Sequence, residues 1–354
     1  MFPYHTVIFL LALFVAAPSQ AHEVGQREIN FTNAETGRTL KVGIWYPAAA
    51  GGKATLIGDN IIFKGAPAVI NATPETGSFP LILMSHGSGG RFESMTWLAT
   101  ELAKAGFVAV APPNHPPGTT SGDSTPQDTP KIWERTGDLS AVIDTMTTDP
   151  TWRAIIDKDR ISVLGFSLGG AAAMEIAGAR ANLEAYARYC DTYSKWDCAW
   201  YAGGVGYRNG GQIKVDKVDL RSIDRNRFEQ SNLDRRITSA VIVDPGLAQA
   251  YDEQSLASIS IPMTFINLGE TQTVPPGVVA DKLASITPKG TYAAVAGATH
   301  FSFLPECKEG AAEHLKAAGE IDPICSDGAT RPRADIHADV ARLVLKALQP
   351  QPKT

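Results

Sequence analysis

Short apolar runs alternate with stretches of helical periodicity along most of the chain. Buried strands read as continuous runs of Val, Ile and Leu, whereas amphipathic helices place apolar residues three and four positions apart. The sequence predicts strands at 79–84, 107–111, 161–164, 239–244, 261–267 and 291–295. It predicts helices around 95–102, 132–147, 171–177 and 334–348. This alternation indicates an α/β fold, in which helices cover both faces of a mostly parallel sheet.

Some segments before the middle of the chain depart from this alternation. Residues 27–33 and 38–46 alternate between apolar and polar positions across a turn-rich linker, which predicts a hairpin. Residues 47–78 are rich in Gly, Ala and Pro, and we predict a surface connection there. The segment 112–130 is rich in Pro, Gly, Ser and Thr, and a loop of this length is usually functional or mobile.

The longest departure is the insertion, residues 182–236, which follows the helix at 171–177. It carries two cysteines, a group of aromatic residues between 193 and 207, and then a charged segment up to Arg236. We predict that the insertion lies over the functional site as a lid. The alternative is a peripheral element without substrate contact, because aromatic side chains pack more often than they bind.

The first residues of the chain resemble a secretory signal. The apolar core at 7–17 is too short to span a bilayer comfortably, and Ser19-Gln20-Ala21 fits the small-x-small cleavage pattern. We therefore predict a signal peptide at 1–21 and one α/β domain at 22–354, in a periplasmic or secreted protein. An uncleaved membrane anchor is the alternative. No later run is as long and apolar as a membrane span, so no stable membrane insertion is expected after cleavage.

Composition changes this picture little. The 354 residues are 44% hydrophobic and 19% charged, with a net charge of −5, which is ordinary for a globular protein. The chain has no long run of like charge, so its charge pattern does not indicate nucleic acid as a partner.

Four cysteines, Cys190, Cys198, Cys307 and Cys325, are disulfide candidates. An even number of cysteines in an exported protein is typical of disulfide bonding. Pairing by proximity joins Cys190 to Cys198 and Cys307 to Cys325, and two other connectivities remain open. No metal site is predicted, because the Cys-x2-Cys spacing of such sites is missing from the sequence.

The strongest chemical signal is Gly165-Phe166-Ser167-Leu168-Gly169. It stands between the strand predicted at 161–164 and the Ala-rich helix predicted at 171–177. Gly-x-Ser-x-Gly in a sharp strand-to-helix turn is the nucleophile elbow of serine hydrolases. The glycines give the backbone room, and the turn exposes the serine hydroxyl above the sheet. Ser167 is therefore the predicted nucleophile, the alternative being an ordinary serine in a Gly-rich turn.

A serine nucleophile needs a base and an acid that orients the base. In folds with this elbow the chain order is serine, acid, histidine. His300 lies just past the last predicted strand and is the predicted base, whereas His314 and His337 fall in helical patterns. Asp244, at the end of a strand, is favoured as the acid over Glu270, which follows the next strand. A turn or cap role is the alternative for Asp244.

Two backbone N–H groups must hold the oxyanion. One is expected from Leu168, directly after the nucleophile, and the other from the Gly-rich loop after the strand at 79–84. We select Ser88 as the second donor, with Gly87 or Gly89 as alternatives. His86 is expected to orient this loop.

Together these residues resemble the α/β-hydrolase superfamily, and in particular the dienelactone hydrolase-like proteins and platelet-activating factor acetylhydrolases. The matching segments are His86-Gly87-Ser88-Gly89, Gly165-Phe166-Ser167-Leu168-Gly169 and Thr299-His300-Phe301. The resemblance extends from the first hairpin to the C-terminal helix and implies the α/β-hydrolase fold. It places the acid after the sixth strand, which Asp244 matches. Dienelactone hydrolases use a cysteine nucleophile, whereas this chain has Ser167.

The predicted function is that of a serine carboxylic-ester hydrolase acting through an acyl-enzyme. Its expected substrate is a small-molecule or lipid-like ester, and the chemistry requires no metal or organic cofactor. A peptidase or acyltransferase with the same three residues is one alternative. The other is an inactive member of the fold that serves as a binding protein.

Overall fold

The computed structural model describes residues 21–112, 118–328 and 331–349. The signal peptide predicted at 1–21 lies outside the described residues, apart from Ala21. The strands are β1 Glu23–Thr32, β2 Thr39–Ala48, β3 Thr55–Ile57, β4 Ala66–Ile70, β5 Phe79–Ser85, β6 Val108–Ala111, β7 Thr119–Thr120, β8 Asp123–Ser124, β9 Ile156–Phe166, β10 Val205–Arg208, β11 Gly211–Lys214, β12 Ile237–Val243, β13 Met263–Asn267 and β14 Gly290–Ala294.

The helices include the four periodic stretches predicted at 95–102, 132–147, 171–177 and 334–348. They are α1 Thr96–Lys104, α2 Ile132–Thr148, α3 Leu168–Ile176, α4 Leu183–Thr192, α5 Trp196–Gly203, α6 Arg225–Phe228, α7 Glu253–Ala257, α8 Asp281–Ile286, α9 Ala311–Ala317 and α10 Arg333–Leu348. Short 3-10 turns occupy Phe92–Met95, Leu220–Ser222, Pro276–Val278 and His300–Phe303. Among the described residues, no helix is both long enough and apolar enough to cross a membrane.

A ten-stranded sheet forms the centre of the fold, in the order β14-β13-β12-β9-β5-β6-β2-β1-β4-β3. The six strands from β14 to β6 are parallel, and β1 and β2 form the predicted antiparallel hairpin. The mostly parallel α/β sheet predicted from the sequence is thus confirmed. Because the carboxyl ends of parallel strands lie at one edge, the loops after β5, β9, β12, β13 and β14 come together there.

Helices cover both faces of this sheet, as predicted. Strand β5 shows how its side chains divide, because Leu81 and Leu83 belong to one apolar cluster and Ile82 and Met84 to the other. Helices α2, α3 and α8 contribute to the first cluster, and α1 and α10 contribute to the second. Two cores therefore hold the central strands from opposite sides.

The surface connection predicted at 47–78 is wrong in part. Strands β3 and β4 form within it and extend the sheet beyond β1, with Gly25 of β1 paired to Val69 of β4. The free edge of β1 offers unpaired N–H and C=O groups, and a short neighbouring segment can satisfy them. Ala66 and Ala68 are buried there. Because β4 contains small residues, its hydrophobic pattern is too weak to predict a strand.

The insertion consists of α4, α5, β10, β11 and α6. Tyr207 of β10 pairs with Ser124 of β8, so the insertion completes a small sheet with the loop after β6. Whether the insertion acts as a lid stays a prediction.

The two disulfides join Cys190 to Cys198 and Cys307 to Cys325, which is the connectivity expected from proximity. All four cysteines of the sequence are thus paired. The first disulfide connects α4 to α5 within the insertion.

Candidate active site

Ser167 stands at the turn between β9 and α3 with φ +56° and ψ −121°, a backbone conformation that L-residues rarely adopt. The flanking glycines make this turn possible. A side chain on Gly165 would overlap the Gly169 carbonyl, and one on Gly169 would overlap the Ser85 carbonyl. The Ser167 amide donates to the Val243 carbonyl at 3.0 Å. The elbow is therefore tied to the next strand by its own backbone.

Three side chains from separate strand ends form one hydrogen-bonded chain. The His300 Nε2 lies 3.2 Å from the Ser167 Oγ, and the His300 Nδ1 lies 2.9 Å from an Asp244 carboxylate oxygen. Because a carboxylate only accepts, Nδ1 carries the proton toward Asp244 and Nε2 is left to accept from the serine hydroxyl. The residues lie 77 and 56 positions apart in the sequence, yet the sheet edge brings them into contact.

The Asp244 carboxylate is fully buried and has further donors. Its other oxygen accepts from the Asn267 side-chain amide at 2.7 Å and from the Leu268 N–H at 2.9 Å. Asn267 is in turn fixed by the Ala280 N–H, which donates to its side-chain oxygen at 3.0 Å. These hydrogen bonds satisfy the buried oxygens of Asp244 and fix the orientation of its side chain.

Glu270, the alternative acid, is located elsewhere. Its side chain is exposed in the turn after β13, and its carbonyl accepts from the Thr273 N–H at 2.7 Å. The carboxylate that hydrogen-bonds to His300 is that of Asp244. Of the two candidates, the structure brings Asp244 into contact with His300, and which of them acts as the acid stays a prediction.

The Gly-rich loop after β5 lies against the elbow. A side chain on Gly87 would stand 3.2 Å from the Ser167 Cβ, so this backbone approaches the nucleophile closely. The Gly87 carbonyl accepts from His86 Nδ1 at 2.7 Å, and the orienting role of His86 stays a prediction. The Gly89 N–H donates to the Thr119 carbonyl at 2.9 Å. This bond makes Gly89 unsuitable as an oxyanion donor.

Ser88 and Leu168 carry the two amides selected from the sequence. Leu168 is the first residue of α3, where helix amides have no intrahelical acceptor and the helix dipole favours negative charge. Ser88 is exposed at the loop tip.

Arg135 supports this loop and was not identified from the sequence. It is buried on α2 and donates to the His86 carbonyl at 2.7 Å and to the Thr119 hydroxyl at 2.9 Å. Burial lowers its pKa to about 9, and the nearby charge of Asp138 opposes this shift. Helical spacing places Arg135 on the same face as Ile132 and Leu139, and a charged residue on an apolar face is the signal that could have revealed it.

Aromatic side chains pack around the loop that carries His300. The Phe166 ring lies 4.8 Å from the His300 ring between centroids, and Phe303 stacks on Phe166 at 4.3 Å. His337 of α10 lies behind them and donates from Nε2 to the Ser302 and Leu304 carbonyls, both at 3.0 Å. Burial lowers the pKa of His337 to about 4, so it is neutral at pH 7. His337 is therefore part of the packing behind the His300 loop.

A cavity of about 430 Å³ opens beside His300. Its walls come from the His300 loop, from the turn after β13 and from the start of α5, where Trp196 is located. Another cavity, of about 470 Å³, lies around Gly178 and Ile261 and includes none of Ser167, Asp244 or His300 in its lining. Of these two cavities, the one beside His300 adjoins the hydrogen-bonded chain.

Comparison with known proteins agrees with this architecture. A family model described as the alpha/beta hydrolase family matches residues 82–313. A solved ferulic acid esterase from Streptomyces cinnamoneus superposes with a TM-score of 0.60 at 19% identity, covering 96% of this chain and 94% of that one. At this identity the likeness concerns the fold.

Two curated relatives match a shorter region. Cutinase est1 of Thermobifida alba is 32% identical over 113 residues, which are 31% of this chain and 34% of that protein. A bis(hydroxyethyl) terephthalate hydrolase of Streptomyces coelicolor is 29% identical over 123 residues, 35% of this chain and 36% of that protein. The chain thus spans about a third of the length of these relatives.

Proposed function

The chain belongs to the alpha/beta hydrolase family, and from this premise we propose that it is a serine hydrolase that cleaves carboxylic esters. The observation that carries the proposal is the continuous hydrogen-bonded chain from Ser167 through His300 to the buried Asp244. The names of the similar proteins support the same reaction class, since cutinases, the terephthalate ester hydrolase and the ferulic acid esterase are all named for ester cleavage.

In the first half of the proposed reaction, the Ser167 Oγ attacks the ester carbonyl carbon while His300 Nε2 takes the hydroxyl proton. Asp244 stabilises the resulting imidazolium through Nδ1–H. The Leu168 and Ser88 N–H groups hold the negative oxygen of the tetrahedral intermediate. The intermediate collapses, the carbon–oxygen bond to the alcohol breaks, and the alcohol leaves with the proton from His300.

In the second half, water attacks the acyl group on Ser167. His300 removes a proton from this water and returns it to the Ser167 oxygen as the carboxylic acid leaves. His300 thus takes up a proton and then gives it away in each half, acting as general base and then as general acid. The substrate expected is a small or lipid-like ester.

Hydrolysis of p-nitrophenyl acetate tests this proposal together with labelling by a fluorophosphonate. Wild-type protein should hydrolyse the ester and gain the mass of one phosphonyl group on Ser167. Ser167→Ala should lose labelling and reduce kcat by more than about 10⁴-fold. Ser162→Ala is the matched control, because its hydroxyl pairs with Ser239 on the same sheet, away from the turn. An unlabelled wild-type protein without esterase activity would contradict the proposal and favour a binding protein.

Export is part of the proposal. Two disulfides that engage every cysteine are typical of an oxidising compartment. Expression of the full chain in its host, followed by fractionation and N-terminal sequencing, should find the protein outside the cytoplasm and starting at His22. Recovery of the intact chain from the cytoplasm would contradict export.

A further inference from the structure

We propose that the cavity beside His300 is the binding subsite for a planar aromatic group in the alcohol portion of the ester, with Trp196 as its specificity-determining wall. This inference rests on the proposed function and deepens it. The cavity, at about 430 Å³, lies within the range of roughly 300–1,000 Å³ that is usual for small-molecule sites.

The position of the cavity assigns it to the alcohol side. His300 lines it, whereas its lining among the described residues includes neither Ser167, nor Leu168, nor any residue of the loop 86–90. The carbonyl carbon must meet the Ser167 Oγ, and its oxygen must face the oxyanion amides. The alcohol oxygen must instead face His300, because it receives its proton there. A group attached to that oxygen enters the space next to the imidazole.

Phe166 supports this assignment from the opposite side. Its ring lies against the His300 ring, and neither Phe166 nor Phe303 contributes to the cavity lining. Phe166 therefore fills the space on its side of the His300 ring, and the cavity adjoins the remainder of that ring.

The chemistry of the walls favours an aromatic group. Trp196 and Phe301 face the cavity with ring centroids 6.2 Å apart and planes inclined by 30°, and Pro275, Pro276 and Pro323 complete much of the apolar surface. The Trp196 side chain is 45% exposed although it is large and apolar. Its ring centroid lies 6.5 Å from that of His300 at 73°, so a flat ring can pack against it close to the reacting atoms.

The insertion holds Trp196 in a specific place. Its φ of +50° is disfavoured for a tryptophan, and such conformations persist only where the surroundings enforce them. The Cys190–Cys198 disulfide encloses this turn, and the neighbouring Asp197 accepts from the Tyr186 hydroxyl at 2.9 Å. Tyr186 is buried in the first apolar cluster, the one that includes Leu81 and Leu83. These contacts make Trp196 a fixed wall on an otherwise exposed turn.

Three esters test the assignment. Benzyl acetate carries the ring in the alcohol, ethyl benzoate carries it in the acyl group, and cyclohexylmethyl acetate replaces the ring by a saturated one. For Trp196→Ala, kcat/KM with benzyl acetate should fall about fivefold, the amount that one aromatic contact contributes. The values for ethyl benzoate and cyclohexylmethyl acetate should stay within about twofold, and Trp196→Phe should retain most of the benzyl acetate activity.

Trp200→Phe is the matched control. It lies on the same helix, but its indole donates to the Thr129 hydroxyl at 2.9 Å and stacks on Tyr207, so all three substrates should be unaffected. A loss with Trp196→Ala that is equal for the three esters, larger for ethyl benzoate, or missing altogether overturns the subsite. Failure of the proposed function gives a different result, because the wild-type protein then hydrolyses none of the esters.

Discussion

The strand-end loops, which follow the parallel strands and carry Ser167, Asp244 and His300, differ from the insertion in how they hold their functional side chains. Ser167 and Asp244 are fixed through their own backbones, with the Ser167 N–H on the Val243 carbonyl and the Asp244 N–H on the Ile266 carbonyl. Trp196, in the insertion, is positioned by a disulfide and by side-chain contacts of its neighbours. Ser167 and Asp244 are thus held by hydrogen bonds of the sheet itself, whereas Trp196 lies on a turn outside the sheet.

Because of this difference, we expect the strand-end loops to determine the rate of the reaction and the insertion to determine the preference among esters. A hydrogen bond between adjacent strands can be lost only if the sheet itself is disturbed, so the positions of Ser167 and Asp244 are as stable as the sheet. A tethered turn can change while the sheet stays intact. We therefore expect substitutions in the two regions to have distinct signatures.

The largest effect is expected from breaking the hydrogen-bonded chain of Ser167, His300 and Asp244 at its acid. Asp244→Asn keeps the size of the side chain but removes the charge that orients and stabilises the His300 imidazolium, so kcat for p-nitrophenyl acetate should fall roughly 10⁴-fold. Glu270→Gln should stay within about twofold. Steady-state kinetics on both variants measures this, with circular dichroism to show that both are folded. Equal losses in the two variants would refute the assignment of the acid.

A smaller effect should follow from opening the insertion. Cys190→Ser with Cys198→Ser removes a short closed loop and should lower the free energy of unfolding by about 2–3 kcal/mol. The preference for benzyl acetate over cyclohexylmethyl acetate should decline toward that of Trp196→Ala. Urea denaturation and the ester panel measure the two quantities. The rate of fluorophosphonate labelling should not change, and a large drop in it would show that the two regions are not separable.

The smallest effect concerns pH and His337, which lies beneath the His300 loop. Because its pKa in the folded protein is about 4, below the ordinary value of 6.5, the unfolded chain binds more protons between these values. This contribution to stability is complete above pH 6.5 and is lost as the pH falls toward 4. Wild-type protein should lose about 2 kcal/mol from this residue between pH 7.5 and pH 5.

His337→Gln should lack this part of the pH dependence in urea denaturation at the two pH values. His314→Gln is the matched control, since His314 is exposed on α9, and it should behave as wild type. If His337→Gln and wild type lost stability in parallel, the buried neutral state of His337 would be wrong.

Local signals in the sequence were sufficient to predict much of the strand-end loops. The glycines around Ser167 predict a turn that only small residues permit. The apolar run before Asp244 places it at the end of a buried strand, and His300 lies in the loop after the last strand. Chain order together with its position at a strand end ranked Asp244 above Glu270. What chain order could not supply was the donor set around the carboxylate, because Asn267 is an ordinary polar residue until β13 lies beside β12.

The insertion and the sheet edge were less predictable for physical reasons. Strand β4 is short and rich in small residues, so its apolar signal is weak and its partner β1 decides its conformation. Trp196 could be identified as one of several aromatic residues, but its approach to His300 depends on a left-handed backbone and a disulfide. Neither of these leaves a periodic pattern. Arg135 stands out in the sequence as a charged residue on the apolar face of α2, but its role depends on which carbonyls surround that face.

The Cys190–Cys198 bridge also makes the site accessible to protein engineering. The Cα atoms of the two cysteines are 5.2 Å apart, so residues 191–197 form a closed segment whose ends stay fixed whatever lies between them. A library confined to this segment, with Asp197 retained, would vary the wall opposite His300 without altering a single strand. One stable scaffold could in this way be adapted to a series of esters by exchanging six consecutive codons.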